Sequence, residues 1–105
     1  MAKSKAEQKI AELTDVLTAL SHPARRQILM TIHFRGGEMS AGEIADRFAH
    51  SWPTTTRHLR VLEEAGLVTA TQDGRARIYR ADHSRLEAVQ AWLKWFEKKH
   101  KSDAA

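Results

Sequence analysis

The sequence predicts one mainly α-helical domain that carries a single β-hairpin, and three observations support this. Apolar residues recur at three- and four-residue steps over most of the chain. Capping residues, prolines and glycines cut that periodicity into separate helices. Asp73-Gly74 lies between two strand-like runs, the strongest short-range hairpin signal. At 105 residues, with 42% hydrophobic and 29% charged residues, the chain has the size and composition of one folded domain, residues 1–105. A chain of this size buries only about 60 to 70% of the surface it exposes when unfolded, so a second subunit would enlarge a modest core.

The elements follow in order. From Lys5 to Leu20, Ile10, Leu13, Leu17 and Leu20 step by three, four and three, a helix with a narrow heptad-like seam. Ser21, His22 and Pro23 open a second helix, with Ala24, Ile28, Leu29 and Ile32 inward and Gly36-Gly37 as its stop. Ser40 and Glu43 form a capping box for a short third helix that buries Ile44, Ala45 and Phe48. Ser51 and Pro53 start a fourth, whose apolar positions Leu59 and Leu62 run until Gly66. The short link between these two is helix-turn-helix geometry. Strands at Leu67 to Thr71 and Ala76 to Ala81 follow, and a last helix from about Ser84 to His100 carries Leu86, Val89, Leu93 and Phe96.

Composition narrows the function. The absence of cysteine removes disulfides, thiolate metal sites and thiol nucleophiles. The charged stretch MAKSKAEQKIAEL has no apolar run of a secretory signal, and Val89 to Phe96 is interrupted by Gln90 and Lys94, so a soluble cytoplasmic protein without a membrane partner is expected. The net charge of +4 favours acidic partners, nucleic acid first. Every lysine lies near an end, whereas every arginine lies between Arg25 and Arg85. The arginine fork suits phosphate oxygens and the guanine edge.

The order helix, helix, helix-turn-helix, hairpin, helix (α-α-α-α-β-β-α) is that of a winged helix-turn-helix. The chain also resembles the ArsR/SmtB family of bacterial transcriptional repressors. The resemblance rests on Ala19-Leu20-Ser21-His22-Pro23-Ala24-Arg25-Arg26 with Ile28-Leu29, and on Arg57-His58-Leu59 with Val61-Leu62. It continues through Glu64-Ala65-Gly66-Leu67-Val68 and the wing from Gly74 to Tyr79, so nearly the whole chain is covered. It implies a repressor that dimerises through its terminal helices.

The fourth helix then reads as the recognition helix. With Thr55, Leu59 and Leu62 inward, the opposite side carries Pro53, Arg57, Arg60 and Glu64, flanked by Thr54, Thr56 and Val61. Recognition helices meet base edges chiefly with their N-terminal residues, which assigns Thr54, Thr56 and Arg57 to bases and His58 and Arg60 to the backbone. The sequence has no asparagine, so guanine reading by Arg57 is the expected direct contact, with threonine methyls against thymine methyls. In the wing, Gln72 sits at the tip, and Arg75 and Arg77 share one side of their strand, placed for phosphate or a narrow minor groove. Ser40, besides capping, is placed to bond a phosphate.

The seams of the first and last helices, Ile10, Leu13 and Leu17 with Leu86, Val89, Trp92, Leu93 and Phe96, call for a partner. A two-fold homodimer satisfies them and offers two recognition helices to a palindromic duplex DNA operator. Metal sensing is common in the family, but its thiolate site needs cysteine. In its other site Glu97 and His100 would sit at the spacing of the last two ligands, but Ser84 and Leu86 then occupy the earlier ligand positions and the match fails. An antiparallel pairing of Asp82 and His83 with Glu97 and His100 of a second copy is the alternative metal-responsive reading. A winged-helix protein-interaction module is another. No catalytic constellation stands out, and no enzyme activity, cofactor or metal is expected.

Overall fold

The computed structural model describes residues 4–97. Its elements are α1 (Lys5–Leu20), α2 (Pro23–Phe34), β1 (Glu38–Ser40), α3 (Ala41–Arg47), α4 (Trp52–Glu64), β2 (Val68–Asp73), β3 (Ala76–Ala81) and α5 (Leu86–Lys94), closed by a 3-10 turn at Trp95–Glu97. Among the described residues the strands form one antiparallel sheet in the order β1-β3-β2.

Local chemistry explains each start and stop. The Ser4 hydroxyl accepts the Glu7 N–H at the head of α1, and His22 Nδ1 accepts the Ala24 N–H at 3.1 Å, just before Pro23 at the head of α2. Helix α2 ends where Gly36 and Gly37 take φ of 99° and 95°, a region closed to most side chains. At α3 the Ser40 hydroxyl accepts the Glu43 N–H (3.1 Å) and the Glu43 carboxylate accepts the Ser40 N–H (3.0 Å), a complete capping box. Those bonds hold the Glu43 carboxyl below the usual carboxylate range. Ser51 caps α4 through the Thr54 N–H.

The hairpin is longer than the expected one. Strand β2 continues to Asp73, paired with Ala76, which leaves Gly74-Arg75 as the turn. Gly74 has φ of 61° and no non-glycine residue has positive φ among the described residues, the glycine-first pattern of a II′ turn. Strand β1 was not expected. It is three residues long, only Met39 on it is buried, and it exists because β3 offers a pairing edge, Glu38 to Arg80 and Ser40 to Ile78. The Arg80 guanidinium donates to Glu38 at 2.8 Å across that pair.

Helix α5 is shorter than expected. The Asp82 carboxylate accepts both the N–H (3.0 Å) and the hydroxyl (2.7 Å) of Ser84, a local turn that delays the helix to Leu86. These bonds keep the Asp82 carboxyl below its ordinary range. The expected last turn, with His100, lies outside the described residues. The core joins Val16 and Ala19 of α1, Ile28, Leu29 and Ile32 of α2, Ile44 of α3 and Leu59 and Leu62 of α4 to Met39, Leu67, Val68 and Tyr79 around the sheet. Helix α4 packs against α1, α2, α3 and β2, which leaves its opposite face open. No helix among the described residues is long and apolar enough to cross a membrane.

Candidate nucleic-acid interface

Helix α4 turns two faces in opposite directions. Thr55, Leu59 and Leu62 are buried, and Pro53, Thr56, Arg57, Arg60 and Glu64 are exposed, as the helical spacing dictates. Thr54 is half-buried, its hydroxyl accepting from Ser51 Oγ at 3.0 Å. One stripe of α4, Trp52, Thr56, Arg60 and Glu63, forms a wall of an open groove. The head of α3 (Ser40, Ala41, Gly42) and the wing strand (Arg75, Ala76, Arg77, Tyr79) complete it. A second concavity on the outer face of α4 is lined by Trp52, Pro53, Thr56, Arg57 and Arg60. The structure thus gathers Ser40, Thr56, Arg57, Arg60, Arg75 and Arg77 onto one continuous surface.

The charges on that surface fall into two classes. Arg57, Arg60 and Arg75 enter no ion pair or hydrogen bond among the described residues, so their donors are free for an anionic partner. Arg77 is braced instead. Its guanidinium stands 3.6 Å from the Glu63 carboxylate, donates to the Tyr79 hydroxyl at 3.2 Å and lies 5.7 Å from the Tyr79 ring centre. The Tyr79 contact and then Glu63 raise its already high pKa. Arg77 therefore fastens the wing to α4 and fixes the width of the groove. Gln72 folds back and donates to the Gly74 carbonyl at 3.2 Å, which supports the wing tip.

His58 corrects the expectation that it faces the phosphate backbone. Only 7% of it is exposed, and it points inward. Its Nδ1 lies 3.4 Å from the Arg25 guanidinium, and its ring meets those of His22 (4.5 Å) and His50 (5.8 Å). Burial first, and then His22 and Arg25, hold this imidazole below its ordinary pKa. Arg25 also donates to the carbonyls of Ala19 (2.6 Å) and Thr18 (3.3 Å), so His58 ties the recognition helix to the α1–α2 corner. The signal was present in the sequence, because position 58 lies three residues from Thr55 and four from Leu62. Trp52 was missed as well, although it is the first residue of α4 and 56% exposed.

The seam residues divide. Ile10, Leu17, Trp92, Leu93 and Phe96 are exposed, with Trp95 beside them, and Trp92 meets Phe96 edge to face at 5.1 Å. Leu13 is half-buried, while Leu86 and Val89 pack against the domain's own core. Helices α1 and α5 touch, and each carries a strip of exposed apolar residues. Of the residues considered for metal, Asp82 is occupied by Ser84, and His83 Nε2 lies 3.3 Å from His33 Nδ1. No group of three candidate ligands that could hold a metal ion occurs among the described residues.

A family model described as a helix-turn-helix domain matches residues 20–70. The transcriptional repressor SdpR of Bacillus subtilis (strain 168) is 32% identical over 87% of this chain and 99% of its own. The chain belongs to the ArsR/SmtB family of winged-helix, DNA-binding transcriptional repressors. The arsenical resistance operon repressor of Staphylococcus xylosus is similar to this repressor at 32% identity, over 74% of this chain and 73% of that one. The crystal structure of an ArsR family transcriptional regulator superposes with a TM-score of 0.77 at 27% identity, covering 95% of this repressor and 100% of that chain.

Proposed function

We infer that this chain acts in the cytoplasm as a homodimer that occupies a palindromic operator and blocks transcription from it, as a binding protein and not a catalyst. The observation that carries this reading is the set of three guanidiniums, Arg57, Arg60 and Arg75, unpaired among the described residues and spread along one surface of α4 and the wing. Arg57 with Thr54 and Thr56 reads bases, Arg60 and Ser40 meet phosphate, and Arg75 at the wing tip holds the flanking duplex. Arg77 and Gln72 contribute by fixing the wing that presents Arg75.

The apolar strips of α1 and α5 support the dimer. Exposed apolar patches of this kind, rimmed by charge, mark association surfaces. Joining two copies through them places two recognition helices about one DNA turn, or a multiple, apart. Equilibrium binding to a duplex selected from a random pool, alongside sedimentation of the free protein, tests the reading. A sedimenting dimer whose affinity falls about tenfold or more between about 50 and 200 mM salt supports it. A monomer that ignores every duplex overturns it.

A further inference from the structure

We propose that Trp52 forms an apolar subsite for the 5-methyl group of a thymine in the major groove, making it a base-reading residue beside Arg57. This rests on the DNA-binding reading above. Trp52 opens the α4 stripe that continues through Thr56 and Arg60, and it borders both concavities of the interface. More than half of its surface is exposed, at 56%, and among the described residues its indole has no aromatic or hydrogen-bonding partner. Trp52 lies three residues before Thr55, at the edge of the core face of α4, yet unlike Thr55, Leu59 and Leu62 it is not buried, so most of its indole is left for a partner outside its own domain.

The surroundings name the occupant. Ala41, Gly42 and Ala76 give the adjoining groove small, apolar walls, while Arg57, Arg60 and Arg75 supply positive charge, unpaired among the described residues, around it. An apolar protein partner matches the first feature and not the second. Duplex DNA matches both, because its phosphates are anionic and the thymine methyl is the apolar group that the major groove displays. The first residues of a recognition helix are those that reach base edges, and Trp52 is the first residue of this one. Thr54 and Thr56 then read neighbouring positions.

Replacing thymine by uracil deletes that methyl and leaves pairing and charge alone. The probe is the duplex most enriched by the wild-type protein from a randomised pool, with each thymine changed to uracil in turn. At one thymine of a half-site, uracil weakens wild-type binding about fourfold, the weight of one buried methyl-sized group. Trp52→Ala binds the thymine and uracil forms of that position equally and keeps the uracil response elsewhere. Trp52→Phe retains part of the preference, and Trp52→Gln, which preserves helix propensity at an exposed site, loses it as Trp52→Ala does. A wild type indifferent to uracil at every position, or a Trp52→Ala that keeps every uracil response, overturns the proposal while the DNA-binding reading stands. Failure to bind any duplex overturns both.

Discussion

Arg57 and Arg75 should fail in different ways when truncated, and the difference can be worked from the structure. Both side chains are exposed and unpaired among the described residues, so Arg57→Ala and Arg75→Ala should each change folding stability by no more than about 0.5 kcal/mol. A lost arginine-to-base contact costs about 1 to 3 kcal/mol of specific binding. A two-fold dimer carries the change twice at distant sites, so the losses add to about 2 to 6 kcal/mol. Arg57→Ala should therefore weaken operator binding by about 30-fold or more while leaving random duplex almost untouched, which flattens the preference. Arg75→Ala should weaken both duplexes alike and lower the salt slope by about 1 per subunit. Fluorescence anisotropy with operator and scrambled duplexes at several salt concentrations reads all of these quantities. If Arg57→Ala weakens both duplexes equally, or neither variant differs from the parent, the assignment of Arg57 to bases and Arg75 to phosphate is refuted.

Three other consequences follow from the same geometry. The buried Thr55 hydroxyl has no hydrogen-bond partner among the described residues, so Thr55→Val should stabilise the fold by about 1 kcal/mol and raise Tm by about 4 to 8 °C; a lower Tm would show the hydroxyl is satisfied. His58 holds its proton less readily in the folded chain than an unfolded imidazole does, near pH 6.5. The unfolded state therefore binds more protons as pH drops through about 6.5, and stability falls on acidification until the folded-state value is passed. Urea midpoints at pH values on either side should show this loss in the wild type and a smaller one in His58→Leu, and equal losses would remove His58 as the cause. Leu93→Asp, which puts a charge into the exposed strip of α5, should sediment as a monomer and lose about 100-fold or more in operator affinity; an intact dimer would place the interface elsewhere.

The parts of the fold written in local chemistry were legible in the sequence. Ser40 with Glu43, Pro23 after His22, and Asp73-Gly74 each satisfy or bend their own neighbouring backbone, so position along the chain is enough to read them. Strand β1 was not legible because its three residues have no pattern of their own and become a strand only where β3 lies alongside. The same limit applies to the site. Spacing alone put Arg57 and Arg60 on the outer face of α4, but the groove exists because the α3 head, α4 and the wing meet in space. Arg77 looked equivalent to Arg75 in sequence, and only Glu63, brought from another element, shows that it braces the wing. The recognition-helix reading of α4 assigns His58 to the phosphate backbone, although its step from Thr55 and Leu62 points to the interior, where the structure puts it.

Deep sequencing of duplexes enriched from a random pool, compared between the wild type and Arg57→Ala, addresses most directly whether paired α4 helices read DNA. The proposed dimer predicts that the wild type enriches an inverted repeat whose half-sites lie about one helical turn or a multiple apart. One guanine in each half should lose its enrichment in Arg57→Ala. An asymmetric single motif, or a repeat that the variant enriches unchanged, would contradict the account.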